Sequence, residues 1–388
     1  MSEVVVAGGG YAGVLAANRL TRYDEVKVTL INPRPFFVER IRLHQLAGGS
    51  HDAVVAYRKI LGGGVQLVVD SVTRIDAAER LVRLASGGAL GYDYLIYAVG
   101  SGGAVPGVPG VAEFAYRVAT LEEARRLRRV LDRAPATAAL TVAGGGATGI
   151  EIAAEMAERG RRVTLACGGV LGPYLHPRTR RALARRLDRL GVSVLDGSGS
   201  KVTAVTREAV HLSGGRELPS AVTIWAAGFA VPDLAARSGL SVDAVGRLLT
   251  DETLTSVDDE RIVAAGDAAA PSDLPLRMSC QASTRVGAHA ADTVLSRIAG
   301  TPAAAVNVGF AGLCLSLGRR AGVFQFASRN DAAVGFFVGG GVGARLKEYV
   351  CELSVKHLAR EARKPGSLTW ARDDTRPAAV RAQESAGI

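Results

Sequence analysis

Cysteine, aromatic residues and long apolar segments are all scarce in this chain. Four cysteines among 388 residues are too few for the dense disulfide framework of a small secreted domain. The longest apolar stretch, residues 332–344, is interrupted by glycine and falls short of the roughly 20 residues that a membrane-spanning helix needs. No basic segment typical of a signal peptide precedes the first strand pattern at Glu3. We therefore expect no membrane span and a location in the reducing cytoplasm.

The charge is basic, but it lacks the organisation of a nucleic-acid-binding protein. The formal net charge is +10, and only six of the 47 basic residues are lysine. The arginines are spread along the chain, and no helix-turn-helix, zinc-finger or basic-aromatic motif accompanies them. We expect no nucleic-acid partner, whereas anionic dinucleotides or an anionic surface remain compatible with this charge. The histidines and cysteines show no ligand spacing, so no metal site is expected.

A glycine-rich turn between a strand and a helix opens the chain. Residues 3–7 form an apolar run, and Gly8-x-Gly10-x-x-Gly13 follows before a helical pattern and a second strand pattern at 26–31. Gly8 allows the tight turn, Gly10 lets the backbone approach a pyrophosphate, and Gly13 lets the helix pack closely on the strand. The helix N-terminus then offers free N–H groups to an anion. We interpret this segment as a dinucleotide-binding unit.

The same arrangement returns in the middle of the chain. A strand pattern at 139–143 leads into Gly144-x-Gly146-x-x-Gly149, and a helical pattern and a strand pattern at 162–166 follow. Two such units this far apart predict two dinucleotide-binding domains rather than a short repeat. The predicted fold is α/β, with two Rossmann-like three-layer domains and a small C-terminal α+β region.

Neither unit carries the acidic residue that usually follows its second strand and bonds a ribose hydroxyl. Asn32 stands there in the first unit, where it could bond the ribose or serve as a turn residue before Pro33. Cys167 stands there in the second unit and could equally be a small buried residue. Because no carboxylate would repel a 2′-phosphate and Arg161 and Arg162 precede the strand, NADH and NADPH both stay open.

Three further apolar strand patterns end in glycine. They lead to Gly100, Gly228 and Gly266, and the last glycine is followed by Asp267. The Asp267 carboxylate can accept hydrogen bonds from the ribityl hydroxyls of a flavin. It can also cap a helix that begins near Ala268, and the two roles do not exclude each other.

These motifs, in this order, resemble the two-dinucleotide-binding-domain flavoproteins. The resemblance extends from residue 3 to about residue 325 and implies that the first unit holds FAD and the second NADH or NADPH. No cysteine precedes Cys167, which sets aside the disulfide reductases, whose redox cysteine pair follows the first unit. The expected cofactor contacts are Gly8, Gly10, Tyr11, Ala12, Gly13, Asn32, Pro33, Arg42, Val72, Ala98, Gly100, Gly144, Gly146, Thr148, Gly149, Gly228, Gly266, Asp267, Gln281 and Ala282.

Within this superfamily the chain looks most like type II NADH:quinone dehydrogenases. The resemblance implies that Glu151 contacts the nicotinamide nucleotide and that Gln281 lies near the flavin and the acceptor. Backbone N–H groups of Gln281 and Ala282 would stabilise negative charge on the flavin. Arg42 and His44 approach the flavin if the loop after the first unit folds back. The segments that carry the resemblance are residues 36–48, 144–151 and 312–319.

The expected activity is hydride transfer from NAD(P)H to FAD, followed by electron transfer to a small-molecule acceptor. Arg285 and Val286 replace a glutamine pair of the family, which leaves the acceptor open between a quinone-like and another molecule. A specialised biosynthetic flavin oxidoreductase and a non-enzymatic NAD(P)H-sensing flavoprotein are the alternatives. Sulfide:quinone reductases share this fold and use cysteines, but we interpret Cys280 and Cys314 as buried inert thiols.

We expect the first domain to be split by the second. Residues 105–110, rich in proline and glycine, are interpreted as a linker. Arg345–Lys364 is expected to be a helix that packs on the domain or on a second subunit of a homodimer. The alternative is an interfacial helix that holds the chain at the inner face of a membrane. The expected boundaries are 1–110 and 251–310 for the FAD domain, 111–250 for the NAD(P)H domain, 311–364 for the C-terminal region and 365–388 for a loose tail.

Overall fold

The first unit is built on a five-stranded parallel sheet. The computed structural model describes residues 1–104 and 107–385, so Val105 and Pro106 of the expected linker and the last three residues of the expected tail lie outside the described residues. The elements up to residue 97 are β1 Ser2–Ala7, α1 Tyr11–Leu20, β2 Val26–Asn32, β3 Phe36–Val38, α2 Leu43–Gly48, β4 Val54–Ala56, β5 Val65–Val69, β6 Val72–Asp76, β7 Leu81–Leu84, β8 Ala89–Gly91 and β9 Tyr94–Tyr97.

The second unit repeats this plan with its own five-stranded parallel sheet. Its elements and the connections that flank them are β10 Gly102–Gly103, α3 Val111–Phe114, β11 Ala115–Arg117, α4 Leu121–Arg133, β12 Ala139–Ala143, α5 Ala147–Glu158, β13 Arg162–Ala166, α6 Pro177–Arg189, β14 Ser193–Leu195, β15 Val202–Val205, β16 Ala209–Leu212, β17 Glu217–Pro219, β18 Val222–Trp225, β19 Phe229–Ala230, α7 Leu234–Arg237 and β20 Leu248–Thr250. The strand order of this sheet is β11-β18-β12-β13-β14.

The chain then returns to the first sheet before it forms a third region. The remaining elements are β21 Ile262–Ala264, β22 Ala269–Pro271, α8 Cys280–Ile298, β23 Gly312–Ser316, β24 Gly322–Ala327, β25 Ala333–Gly339, α9 Gly340–Arg363 and α10 Arg376–Ser385. Strand β21 pairs with β9, which completes the first sheet in the order β21-β9-β1-β2-β5. Strands β23, β24 and β25 form a separate antiparallel sheet. The predicted α/β fold with two Rossmann-like sheets and a C-terminal α+β region is confirmed.

Close backbone contacts explain why glycine is needed at the start of both nucleotide-binding units. A Cβ on Gly13 would lie 1.8 Å from the carbonyl oxygen of Gly8, and a Cβ on Gly149 would lie 1.8 Å from that of Gly144. Gly8 and Gly144 have φ angles of +111° and +122°, which other L-residues rarely adopt. Each helix can therefore pack against its strand only with this pair of glycines.

The long helix α9 buries one face against the rest of the protein, including α1. Lys347, Cys351 and Leu358 are buried, and Asn18 of α1 donates from its amide nitrogen to the Leu358 carbonyl oxygen at 3.2 Å. This helix includes most of the segment in which one was expected, and it begins earlier, at Gly340. Within the described ranges 1–104 and 107–385, no helix combines the length and apolar content needed to cross a bilayer.

The segment after residue 364, expected to be a loose tail, is held to the protein by several buried residues as far as Val380. Leu368 and Val380 are buried, and the Trp370 indole N–H donates to the Asn307 carbonyl oxygen at 2.9 Å. Arg376 at the start of α10 pairs with both carboxylate oxygens of Glu252, at 2.8 and 2.9 Å. The sequence shows no periodic pattern here because the segment is held by single anchoring residues rather than by a continuous apolar face.

The Arg376–Glu252 pair should control the opening of this C-terminal segment. Its side chains are mostly buried, so Arg376→Gln leaves a carboxylate without its cation and should destabilise the packed state by about 2 kcal/mol. Limited proteolysis followed by mass spectrometry should show release of the segment at least about tenfold faster. Arg381→Gln, on the exposed face of the same helix, is the matched control and should leave the rate unchanged. Equal rates in the two variants would contradict the packed arrangement.

Candidate functional site

One large cavity lies where both parallel sheets present the carboxyl ends of their strands. Its volume is about 1110 Å³, and the third region closes it with residues from β23, β24 and α9. In open α/β sheets, ligands bind in the crevice outside the carboxyl ends of the strands. The predicted contact residues that line the cavity are Gly8, Gly10, Tyr11, Ala12, Asn32, Pro33, Val72, Ala98, Gly100, Gly146, Thr148, Glu151, Gly228, Gly266, Asp267 and Gln281.

The first glycine loop leaves its backbone open to the cavity. No atom lies within 4 Å of the position that a Cβ of Gly10 would occupy, although Gly10 lines the cavity wall. Asn32 stabilises this loop, because its side-chain oxygen accepts from the Gly9 N–H at 3.1 Å and its amide nitrogen donates to the Arg34 carbonyl oxygen at 2.8 Å. Asn32 thus fills the turn role that the sequence left open, while it also lines the cavity.

The second glycine loop has the same open geometry. Nothing lies within 4 Å of a Cβ position on Gly146, and the Gly145 N–H donates to the Cys167 carbonyl oxygen at 3.1 Å. Cys167 is buried against this loop. Arg161 lies beyond the amino end of β13, where its guanidinium donates to carbonyl oxygens of Leu131 and Ala134. It is therefore held at the edge of the sheet opposite the glycine loop.

Asp267 is held in place by hydroxyl groups at the centre of the cavity. One carboxylate oxygen accepts from Ser101 Oγ at 2.7 Å, and the other accepts from Ser283 Oγ at 3.0 Å. Arg40 lies 3.7 Å from the first oxygen. Asp267 lies inside a short 3₁₀ turn that begins after Ala265, and it makes no capping bond there. The expected helix-capping role for Asp267 is wrong, and both of its carboxylate oxygens accept from hydroxyl groups of the protein.

Helix α8 begins with a cap that occupies one of the expected N–H donors. The Ser279 hydroxyl accepts from the Ala282 N–H at 3.1 Å, so this N–H is satisfied within the protein, and Ala282 does not line the cavity. Gln281 lines the cavity. In the amide orientation that satisfies both of its polar atoms, the side-chain oxygen accepts from the Ala311 N–H at 2.9 Å and from Arg285 at 2.7 Å. Arg285, the departure from the family pattern, thus supports Gln281.

Glu151 takes part in a buried charged cluster at the wall of the cavity. Lys347 Nζ lies 2.9 Å from Glu151 Oε1, the Ser316 N–H donates to the same oxygen at 2.9 Å, and His44 Nδ1 lies 3.6 Å from Oε2. Burial alone would raise the pKa of Glu151, but the Lys347 ammonium and His44 outweigh it and hold that pKa below its ordinary value. Burial lowers the pKa of His44 to about 4.

Lys347 lines the cavity and pairs with Glu151, but the sequence motifs did not predict it as a site residue. Burial would lower its pKa, but the Glu151 carboxylate outweighs this and raises it well above the ordinary value, so the ammonium keeps its charge. A signal was present, because Lys347, Cys351 and Leu358 recur at the spacing of one helix face and all three are buried. A lysine on a buried face needs a charged partner, which the sequence pattern did not identify.

Three of the four cysteines line the same cavity together with Lys347. Cys280, Cys314 and Cys351 come from α8, β23 and α9, and burial raises the pKa of each thiol, that of Cys351 to about 11. These thiols are therefore neutral, and they form a weakly polar part of the cavity wall. Their grouping could not be inferred from spacing, because the three residues lie on separate elements.

The remaining expected contacts lie behind the cavity wall. Gly13, Gly144 and Gly149 pack helices on strands, as their close backbone contacts require. Arg42 is buried in an ion-pair cluster with Glu39 and Glu348 and does not line the cavity, whereas its neighbour His44 does. The loop after the first unit thus folds back as expected, but it presents His44 rather than Arg42.

Comparison with known proteins agrees with this geometry. The pyridine nucleotide-disulphide oxidoreductase family matches residues 2–291. An NADH dehydrogenase-like protein of Mycobacterium tuberculosis is 31% identical over 354 residues, which cover 84% of this chain and 88% of that protein. A type II NADH:quinone oxidoreductase of Staphylococcus haemolyticus is 26% identical over 83% of this chain and 89% of that protein.

A solved structure supports the same fold. The sulfide:quinone oxidoreductase of Aquifex aeolicus superposes with a TM-score of 0.77 at 20% identity, covering 93% of this chain and 92% of that one. The family match spans both glycine loops and Asp267, the residues around which the cavity is built. The chain therefore belongs to the pyridine nucleotide-disulphide oxidoreductase family, whose members are oxidoreductases with a flavin and a nicotinamide cofactor.

Proposed function

We propose that this chain is an FAD-dependent oxidoreductase that takes hydride from NADH or NADPH and passes electrons to a quinone-like small molecule. The observation that carries the proposal is that two separate glycine loops, one from each parallel sheet, open into a single cavity. A flavin on the first loop and a nicotinamide ring on the second would then meet without a change of fold. The names of its type II NADH:quinone oxidoreductase relatives support the same pairing.

The residues of the first unit fit FAD. The open space at Gly10 allows a pyrophosphate to approach the backbone, and the N-terminus of α1 offers unsatisfied N–H groups and a positive dipole end. Asp267, already held by two hydroxyls, provides a carboxylate for ribityl hydroxyls. Ala98 and Gly100 at the end of β9, with Gln281 at the start of α8, would surround the remainder of the cofactor.

The residues of the second unit fit a nicotinamide dinucleotide. Gly146 provides the same open approach, and Thr148, the second residue of α5, lines the cavity. Glu151 lies one turn further along the same helix face and reaches the cavity wall. Because Ser316 and Lys347 hold its carboxylate, Glu151 would limit the depth and orientation of a ring that enters along α5.

The flavin, when bound, supplies the redox chemistry by accepting hydride and releasing electrons to the acceptor. The protein supplies position, charge and exclusion of water. Lys347 keeps its positive charge as the partner of the Glu151 carboxylate, so the two together present a buried ion pair at the wall of the cavity. The neutral thiols of Cys314 and Cys351, together with Leu313, Phe324 and Val350, form a largely apolar wall that suits a flat apolar acceptor.

The first expected outcome concerns cofactor content and turnover. Purified protein should show the absorption bands of an oxidised flavin, and anaerobic addition of reduced nicotinamide dinucleotide should bleach them. A soluble short-chain quinone should restore the bands and sustain steady-state oxidation of the nucleotide. A flavin-loaded protein that bleaches but is reoxidised by no quinone would sink the acceptor assignment, and a protein that binds no FAD would sink the whole proposal.

The second expected outcome concerns the Lys347–Glu151 pair. Lys347→Met leaves a buried carboxylate without its cation, which costs about 3 kcal/mol and should lower Tm by roughly 5–10 °C. Adding Glu151→Gln removes the orphaned charge and should recover most of the loss. Lys356→Met, which removes an exposed ion pair on the same helix, is the matched control and should shift Tm very little. Additive effects of the two substitutions in a double-mutant cycle would contradict a coupled pair.

A further inference from the structure

The second unit lacks a carboxylate where the ribose next to the adenine is usually bound, at the end of β13. Cys167 occupies that position, and its carbonyl oxygen accepts from Gly145 of the glycine loop at 3.1 Å. A Cβ on Gly145 would lie 2.8 Å from that of Cys167, so the loop sits directly on this residue. The end of β13 therefore lies directly against the glycine loop, and Cys167, the residue at that position, carries no charge.

The neighbouring strand places a carboxylate beside this position. Strand β14 runs parallel to β13 with Ala166 opposite Leu195, so Asp196 is the register neighbour of Cys167. The Cys167 N–H donates to the Leu195 carbonyl oxygen at 2.8 Å, which continues the pairing past the end of β13. Adjacent strands lie about 4.8 Å apart, within reach of an aspartate side chain. The position beside the glycine loop is thus acidic even though β13 supplies no acid.

The Asp196 carboxylate is free to meet a ligand. The residue is exposed, and its carboxylate forms no hydrogen bond or ion pair with any residue in the described part of the chain. The pKa of the Cys167 thiol is raised to about 12, mainly by burial and secondly by the negative charge of Asp196. The backbone is fixed on both sides, because the Gly197 N–H donates to the Gly169 carbonyl oxygen at 2.7 Å.

The backbone of a lysine also lies close by. The Cα of Lys201 is 3.9 Å from the position that a Cβ of Gly168 would occupy, and the residue is exposed. A 2′-phosphate carries between one and two negative charges, so Asp196 would repel it and Lys201 would attract it. Asp196 is the register neighbour of Cys167, whereas Lys201 lies beside Gly168, one residue further along the chain.

We propose that Asp196 of β14 replaces the missing acid of β13, bonds the adenosine ribose and makes this chain selective for NADH over NADPH. The inference rests on the proposed function, since it concerns the nucleotide that the second glycine loop would bind. Lys201 opposes the selectivity and becomes the dominant charge once Asp196 is neutralised.

Equilibrium binding tests this without relying on turnover. Nucleotide fluorescence gives the dissociation constants of NADH and NADPH for the flavin-loaded protein. The flavin is reduced beforehand with dithionite, so that it cannot oxidise the nucleotide. NADH should bind more tightly than NADPH by about tenfold or more. Asp196→Asn should shift the ratio toward NADPH by about tenfold, and adding Lys201→Gln should reverse most of that shift. Asp188→Asn, which removes an exposed carboxylate on α6 before the amino end of β14, is the matched control and should leave the ratio unchanged.

The outcomes separate this inference from the proposed function. A wild-type preference for NADPH, or a binding ratio that Asp196→Asn does not move, overturns the role of Asp196 while quinone-dependent turnover can still stand. Selective NADH binding that Asp196→Asn abolishes, in a protein that shows no turnover with any quinone, supports the inference and overturns the acceptor. Failure to bind either nucleotide overturns both.

Discussion

The buried ion pair between Lys347 and Glu151 joins helix α9 to the second nucleotide-binding unit, and the shape of the cavity depends on it. Neither charge could remain in this interior without the other, because the desolvation of a single ion is too costly. The Ser316 N–H completes the coordination of Glu151 at 2.9 Å. The pair therefore fixes three regions of the chain at one point of the cavity wall, namely α5, β23 and α9.

The rest of the site follows from a constraint at the two glycine turns. Two parallel sheets each need a glycine turn where a helix must approach a strand within van der Waals contact, and the backbone is open at Gly10 in the first turn and at Gly146 in the second. Asp267 and Gln281 line the same cavity, and hydroxyl groups of the protein hold the Asp267 carboxylate. Charge, shape and hydrogen-bond donors are thus arranged before any ligand enters, which favours rapid transfer between two rings.

Local patterns in the sequence were sufficient for most of the fold and about half of the site. The glycine motifs and strand-end glycines predicted both sheets, because turn geometry is a local property. The role of Lys347, the grouping of Cys280, Cys314 and Cys351, and the occupied N–H of Ala282 depend on contacts between distant segments. The packed segment around Arg376 also escaped prediction, since single anchors leave no periodic signal.

In the proposed function the two glycine loops bind different cofactors that react in one cavity. The most direct measurement compares flavin content and nucleotide-dependent bleaching in Gly10→Val and Gly146→Val, since both positions have ordinary backbone angles and open space for a side chain. Gly10→Val is expected to purify without flavin. Gly146→Val should retain flavin that dithionite bleaches but NADH and NADPH do not. Loss of flavin from both variants, or normal bleaching by nucleotide in Gly146→Val, would contradict the proposed function.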